Sequence, residues 1–273
     1  MGYGASGNGR MVRTGGPDGA ARKVLCLPGG LCTAAFFDDL FAEPAIAEGD
    51  VRLIATTVPG FGGVPLPAGF DGSVESHAKL AASLAADLGC DTVLGHSFGA
   101  NIALEMAAGR HFDGRLILLS PSFSREDEAK ALAVMNRIGY VPGVRAVVDA
   151  IVFRSFAKLL AGNVPDDRVD VLAAEMAGAD RKDVRLTTRR YFEYLDKHGT
   201  LAGRLCRSGV SAEVAFGDAD DVGLTAAERG ALESCATTRL HTVPDCGHMV
   251  INQRPEWVAE LIGAVLSAGS AAR

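Results

Sequence analysis

A pentapeptide of the form Gly-x-Ser-x-Gly, residues 95–99, constrains the fold of this chain more than any other feature. Residues 91–94 before it, Asp-Thr-Val-Leu, predict a short buried strand, and residues 100–107 after it are rich in helix formers. Ser97 therefore falls on a turn from a strand to a helix. A Cβ at either flanking glycine would crowd the neighbouring backbone of such a turn. The pattern predicts an α/β chain that presents a serine hydroxyl on this turn.

The helix after the turn offers a place for negative charge. Its first N–H groups have no partner within the helix, and the helix dipole is positive at that end. An oxyanion formed by attack of the Ser97 oxygen on a carbonyl would be stabilised there, with the Phe98 N–H as one donor. Because a serine hydroxyl is a weak nucleophile at neutral pH, this chemistry also needs an imidazole base and a carboxylate that orients it.

Both partners have candidates towards the C-terminus. His248 lies in a loop between the predicted strand 239–243 and the last predicted helix. The predicted strand 212–216 ends in a run of acidic residues, in which Asp220 is the predicted orienting carboxylate and Asp221 is the alternative. Asp218 and, if it is not the triad acid, Asp221 suit turn hydrogen bonds. The sequence thus predicts a serine, an aspartate and a histidine that act together.

The chain order Ser97, Asp220, His248 is that of the α/β-hydrolase triad, and other well-known serine protease folds use other orders. On these residues the chain resembles an α/β-hydrolase-fold serine hydrolase, from about Lys23 to the last predicted helix with a divergent middle. The resemblance implies a mostly parallel central sheet flanked by helices, with an inserted helical cap. It divides the chain into a core of residues 1–121 and 209–273 and a cap of residues 122–208.

Two glycine-containing turns extend the resemblance. The apolar strand at residues 24–27 continues into Pro-Gly-Gly-Leu, which is similar to the family's His-Gly-x oxyanion loop. There Gly30, or alternatively Leu31, would supply the second oxyanion N–H, while Pro28 stands where many members carry histidine. Residues 59–63 resemble the family's Asp-x-Pro-Gly-x-Gly turn without its aspartate.

Some members of the family carry the triad acid after the strand that precedes the cap. At that position this sequence has Ser-Pro-Ser, residues 120–122, and no carboxylate. Asp220 therefore stays the predicted acid. Because the nucleophile is a serine, the resemblance does not extend to the dehalogenase and epoxide hydrolase branches, which need an aspartate nucleophile.

The predicted elements alternate, as expected for parallel strands joined by crossover helices. Further strands are predicted at residues 51–58 and 115–119, helices at 34–41 and 73–88, and one or two edge strands before residue 15. Between residues 122 and 208 the strand signal disappears. Apolar side chains recur there at helical spacing at Val144, Val147, Val148, Ile151, Val152, Phe156, Leu159 and Leu160. A second helix spans about 183–198.

Most of these apolar side chains are expected to pack on the sheet, and the remainder to line a pocket for the substrate. The residues predicted to contact substrate are Leu31, Tyr191, Tyr194 and Met249. In the predicted cap, Val147 and Ile151 together with the two tyrosines favour a small to medium, mostly apolar substrate.

Other kinds of site are not supported. The glycines near residue 60 do not form a dinucleotide loop, because Pro65 occupies the last position and no helix follows. The acidic run departs from a calcium loop at Val222 and Arg229. There is no His-Glu-x-x-His motif, so neither a metal nor a cofactor is expected. His77, His198 and His241 are expected to be surface or hydrogen-bonded side chains, and His96 to have a packing or hydrogen-bonding role.

Length and composition limit the number of domains, the location in the cell and the kinds of partner that are expected. The 273 residues, 48% of them hydrophobic, can bury the core of one large domain. No apolar run is long enough to span a bilayer, and residues 1–10 lack an apolar signal core. Six cysteines without a Cys-x-x-Cys motif predict reduced thiols and a cytoplasmic location. The net charge of −6 and the lack of basic runs exclude a nucleic acid partner, and no membrane partner is expected.

Three functions are consistent with these residues. The first is hydrolysis of a small-molecule carboxylic ester or thioester through an acyl-enzyme on Ser97, as in a carboxylesterase. The second uses the same triad for carbon–carbon bond hydrolysis or cofactor-free perhydrolysis. The third is a ligand-binding protein on the same fold, since fold does not fix function. The oligomeric state stays open.

Overall fold

Seven strands build one sheet in a computed structural model that describes residues 12–128 and 156–270. Their order across the sheet is β1-β3-β2-β4-β5-β6-β7. The strands are β1 (Val12–Gly15), β2 (Arg22–Leu27), β3 (Val51–Thr56), β4 (Thr92–His96), β5 (Arg115–Leu119), β6 (Ala212–Gly217) and β7 (Thr238–Val243). β1 pairs antiparallel with β3 at one edge, and all other neighbours pair parallel. The predicted α/β fold with a mostly parallel sheet is confirmed.

Helices cover both faces of the sheet. They are α1 (Asp38–Ala42), α2 (Pro44–Ala47), α3 (Val74–Leu88), α4 (Phe98–Ala108), α5 (Phe156–Leu160), α6 (Val169–Ala177), α7 (Arg181–His198), α8 (Ala202–Ser208), α9 (Ala226–Glu233), α10 (Val250–Gln253) and α11 (Pro255–Ser270). Short 3₁₀ turns lie at Ala34–Phe37, Arg125–Asp127 and Asp166–Arg168. In the described part of the interval between β5 and β6 the regular elements are helical, apart from an isolated bridge between Ala161 and Val164.

The central strands are apolar along their whole length because both faces of the sheet are covered. Successive side chains of β2 point to opposite faces, as the period of two in a strand requires. Leu25 and Leu27 pack in the layer that holds α3 and α4, whereas Val24 and Cys26 pack in the layer that holds α1 and α11. The sheet therefore separates two hydrophobic cores.

The long helix α3 shows how local sequence sets the helix boundaries. The Ser73 side chain accepts a hydrogen bond from the Ser76 N–H at its start, and Gly89 ends the helix with a left-handed φ of 70°. Its predicted surface or hydrogen-bonded histidine, His77, is buried, with its ring nitrogens 2.7 Å from the Ser73 oxygen and 3.0 Å from the Pro59 oxygen. This side chain joins α3 to the glycine-rich loop after β3.

Two predicted elements differ in detail from the structure. The helix predicted at residues 34–41 begins as a 3₁₀ turn capped by Thr33 and becomes α-helical at Asp38. The strand predicted at residues 51–58 ends at Thr56, where the chain turns into the loop containing Gly60. The apolar stripe predicted from Val144 to Val152 lies outside the described residues.

A network of ion pairs joins α6 to the core. Arg13 of β1 donates to Asp38 at 2.7 Å and to Glu175 of α6 at 2.9 Å. Arg168, just before α6, donates to Asp39 at 2.7 Å and to Asp38 at 3.3 Å. Since these side chains are partly buried and shared among several partners, they hold α6 more firmly than isolated surface pairs would. Helix α6 is thus fixed against α1 and β1.

Candidate active site

The turn at Ser97 has the geometry that its flanking glycines predict. Ser97 adopts φ 51° and ψ −119°, a strained conformation between β4 and α4. A Cβ at Gly95 would lie 2.6 Å from the Ala100 nitrogen, and one at Gly99 would lie 2.6 Å from the Leu27 carbonyl carbon. No real Cβ tolerates such distances from backbone. Both glycines are therefore required by close packing of this turn against its neighbours.

Backbone strain is concentrated at the carboxyl edge of the sheet. Residues other than glycine with left-handed φ follow four of the strands there, namely Leu31 after β2, Ser97 after β4, Ser120 after β5 and Asp245 after β7. Such residues cost energy and persist where the surrounding structure holds them, which is common at functional sites. This edge is also where ligands bind in open α/β sheets.

His248 and Asp220 meet at this edge, from the loops after β7 and β6. The His248 Nδ1–H donates to Asp220 Oδ1 at 2.9 Å. The Asp220 side chain is 1% exposed and that of His248 is 25% exposed. The Val222 N–H donates to Oδ1 at 2.9 Å, and the Ser120 hydroxyl donates to Oδ2 at 2.5 Å. The neighbouring acid Asp221 is exposed to solvent, so the structure places Asp220 and not Asp221 against the imidazole.

The charges of this pair support each other. Burial raises the pKa of Asp220, but hydrogen bonds from His248 and Ser120 and the His248 charge outweigh it, and the pKa is lowered. Burial lowers the pKa of His248, but the hydrogen bond and charge of Asp220 outweigh it, with smaller contributions from Asp221 and Glu128, and the pKa is raised. The carboxylate is therefore ionised at neutral pH and strengthens the imidazole as a base.

His96 connects the His248 loop to the serine turn. Its Nε2–H donates to the His248 carbonyl oxygen at 2.8 Å, and the two ring centroids are 5.0 Å apart. Burial, followed by the charge of His248, lowers the pKa of His96 to about 3. His96 is therefore neutral, and it fixes the backbone of His248 next to the residue that precedes Ser97. Its expected hydrogen-bonding role has this specific form in the structure.

The two predicted oxyanion donors lie side by side. A Cβ at Gly30 would lie 3.7 Å from the Phe98 Cβ, so the loop after β2 contacts the first turn of α4. Within residues 12–128 and 156–270, neither the Gly30 N–H nor the Phe98 N–H donates to another backbone carbonyl. Leu31, which has φ 68°, packs partly buried between the two cores. Their role as oxyanion donors stays a prediction.

Of the side chains predicted to contact substrate, Tyr191 lies next to the serine turn. Its ring is perpendicular to that of Phe98, with the centroids 5.4 Å apart. Met249 follows His248 directly and is buried at the start of α10. Tyr194 lies elsewhere, because its hydroxyl donates at 2.8 Å to Glu105, which is about two helical turns beyond Ser97 on α4. Both tyrosines lie in the predicted helix 183–198, but the sequence could not show which end of α4 each would meet.

Two polar side chains of the site were not recognised from the sequence. Ser120 donates to the predicted acid, although the sequence marked its position merely as one without a carboxylate. Glu128, at the end of the turn Arg125–Asp127, is buried and accepts hydrogen bonds from Tyr191 and Ser122. No local pattern announces either contact, since each joins distant or irregular segments.

The same edge contains a group of possible metal ligands. In the part of the chain that the structure describes, the one group with suitable spacing is Asp220, Asp221 and His248, whose ligand atoms lie within 4.8 Å of one another. An ion there would have to break the hydrogen bond from His248 Nδ1 to Asp220. The six cysteines are all free. Across the described helices, none combines the length and apolarity needed to cross a membrane.

Comparison with known proteins agrees with this architecture. The sequence matches the model of the Alpha/beta hydrolase family over residues 24–261. No curated protein matches it. Among solved structures, an esterase from Thermogutta terrifontis has a TM-score of 0.72 at 18% identity, covering 94% of this chain and 92% of its own.

Two further solved structures are similar to this chain, and their names describe two different reactions. A putative lipase from Acinetobacter baumannii has a TM-score of 0.73 at 15% identity, covering 97% of this chain and 90% of its own. A haloalkane dehalogenase from Bradyrhizobium elkani has a TM-score of 0.72 at 17% identity, covering 94% of both chains. At such identities these neighbours show the fold and leave the reaction to be argued from the site.

Proposed function

Because the chain belongs to the alpha/beta hydrolase family, we propose that it is a serine hydrolase that cleaves a carboxylic ester or thioester. The observation that carries the proposal is the ion-paired His248–Asp220 couple, which is held beside the strained Ser97 turn through His96. The esterase and lipase neighbours are consistent with it. An aspartate nucleophile, which an alkyl-ester intermediate would need, is not present at the turn.

The proposed mechanism has two steps. His248 removes the proton of Ser97, the serine oxygen attacks the substrate carbonyl, and the N–H groups of Gly30 and Phe98 stabilise the oxyanion. The imidazolium then gives its proton to the leaving group as the acyl-enzyme forms. In the second step His248 activates water, which attacks the acyl-enzyme, and Ser97 is regenerated. Asp220 holds the imidazole in the tautomer with hydrogen on Nδ1 throughout.

The part of the chain proposed to bind the rest of the substrate is the cap, residues 122–208. Its described helices α5 to α8 lie in sequence between β5 and β6, and Tyr191 of α7 contacts the ring of Phe98. Phe61 also contacts this ring, at a centroid distance of 5.7 Å. This aromatic surface fits the proposed small to medium, mostly apolar substrate. A cap over the turn would exclude water from the first step.

Hydrolysis of p-nitrophenyl esters of increasing acyl length, together with labelling by a fluorophosphonate probe, tests the proposal. We expect labelling at Ser97, mapped by peptide mass spectrometry, and turnover with an optimum at a short to medium acyl chain. Labelling without turnover of any ester or thioester would point to carbon–carbon bond hydrolysis or perhydrolysis. Neither labelling nor turnover would contradict the proposal and favour a ligand-binding protein.

Replacing Ser120 with alanine tests whether its hydroxyl positions the acid. The variant loses the hydrogen bond to Asp220 Oδ2, and because bonds to charged groups are worth about 1.5–3 kcal/mol, we expect kcat to fall about tenfold. A looser carboxylate raises the pKa of His248 less, so the acidic limb of the pH–rate profile should move to lower pH. Ser267→Ala, on the exposed side of α11, is the matched control. An unchanged kcat and profile would show that Ser120 has no such role.

A further inference from the structure

A buried carboxylate that the proposed mechanism does not use lies beside the serine turn. Glu128 is 7% exposed. Its Oε1 accepts a hydrogen bond from the Tyr191 hydroxyl at 2.5 Å and another from the Ser122 hydroxyl. Burial of a carboxylate is costly unless it is well compensated, so its presence at this place requires an explanation.

The partners of Glu128 locate it at the start of α4. The Tyr191 ring packs against Phe98, the residue after Ser97. Asn101, one helical turn beyond the serine, donates from Nδ2 to the Ser122 carbonyl oxygen at 2.6 Å, and its Oδ1 lies 3.3 Å from the Tyr191 hydroxyl oxygen. These contacts join three parts of the chain, namely α4, α7 and the segment after β5. Their side chains Asn101, Ser122, Glu128 and Tyr191 form a polar wall of the site.

Glu128 has no basic partner in the described part of the chain. Among residues 12–128 and 156–270, no lysine or arginine forms an ion pair with it, and its two hydroxyl donors both bind Oε1. The Glu128 charge does reach His248, since it contributes to the raised pKa of the imidazole after the larger effects of burial and Asp220. The Tyr191 hydroxyl that binds Glu128 belongs to a ring that packs against Phe98, so a carboxylate and aromatic rings lie close together here. These are the two kinds of group that proteins use to bind an alkylammonium group.

We propose that Glu128 binds a positively charged substituent of the substrate, an ammonium or quaternary ammonium group, so that the preferred ester is apolar apart from one cationic centre. This inference rests on the proposed function for the reacting part of the molecule. The positive charge of the substrate would balance the negative charge of the buried Glu128 carboxylate. Phe98 and Tyr191 would contact the alkyl part of the group.

Matched esters test the charge without changing the size of the substrate. p-Nitrophenyl 4-(trimethylammonio)butyrate and p-nitrophenyl 5,5-dimethylhexanoate have nearly the same shape, and acetylthiocholine and 3,3-dimethylbutyl thioacetate place the same contrast on the leaving group. We expect the wild type to favour the cationic member of at least one pair about tenfold in kcat/KM, the gain of one charge-assisted contact. A ratio of one or less in both pairs would overturn the inference without any variant.

Glu128→Gln separates recognition of charge from a structural role. Glutamine keeps an oxygen for the Tyr191 hydroxyl but removes the charge, so the cationic preference should fall about tenfold. A purely structural role would lower kcat/KM for both members of a pair equally and leave the ratio unchanged, which would contradict the inference. Glu126→Gln, an exposed acid two residues away, is the control and should keep the wild-type ratio.

Binding without turnover keeps this inference distinct from the proposed function. Calorimetric titration of Ser97→Ala with butyltrimethylammonium should show binding that is at least about tenfold weaker when Glu128→Gln is added. If that holds while the wild type hydrolyses no ester, the cation site stands and the proposed hydrolase function fails. If esters are hydrolysed at Ser97 but the cation does not bind, the hydrolase function stands and the cation site fails.

Discussion

Replacing Ser97 with alanine is expected to lower kcat/KM for the best p-nitrophenyl ester by at least about 10⁴-fold, since no acyl-enzyme can form without the serine oxygen. The loss should occur without unfolding. Alanine keeps the Cβ that already fits the conformation at φ 51°, and the Ser97 side chain makes no hydrogen bond that caps α4. Steady-state kinetics and the thermal unfolding temperature, measured on the same preparation, check both parts.

The control for this variant is Ser211→Ala, at an exposed position before β6. It should keep wild-type kinetics and probe labelling. Residual activity of Ser97→Ala near the wild-type value would show that another residue is the nucleophile. Loss of activity accompanied by a large fall in unfolding temperature would instead show that the serine is needed for the turn itself.

Replacing Asp220 with asparagine is expected to lower kcat by about 10³–10⁴-fold with the fold retained. The asparagine amide can donate to His248 Nδ1, which then places the imidazole proton on the nitrogen that should accept the serine proton. The pH dependence changes in a defined direction. Neutral His248 is the active form, so the rate falls as the pH drops through its pKa, and loss of the Asp220 charge moves that acidic limb to lower pH.

Asp221→Asn is the matched control for this prediction. Asp221 is exposed and adds a smaller contribution to the raised pKa of His248, so its loss should change kcat no more than about threefold and move the acidic limb slightly to lower pH. A greater loss of activity in Asp221→Asn than in Asp220→Asn would reverse the assignment of the acid.

The features that could be predicted from the sequence are those that depend on residues close together in the chain. The glycines around Ser97 are needed because backbone approaches them closely, and such a need shows as a local pattern. The alternation of apolar strands with helices likewise follows from the period of burial in each segment. The order of Ser97, Asp220 and His248 indicated how these segments would be combined.

Contacts between distant residues could not be predicted in the same way. Ser120 and Asp220 are 100 residues apart, and His96 and His248 are 152 residues apart, so no spacing links them. Tyr194 shows the opposite limit, because a helical period gives the face of a helix but not the neighbour that this face meets. The buried position of Glu128 depends on α4 and α7 together.

The wide separation of the site residues also bears on how the protein is made. Ser97 follows the central strand β4, whereas His248 follows β7, which forms an edge of the described sheet and pairs with β6. During synthesis from the N-terminus, the core strands can associate while the histidine is still inside the ribosome. Since the contact between His248 and His96 closes a stretch of 152 residues, activity should appear last. Onset of the proposed hydrolase activity would therefore mark the completion of folding, not its beginning.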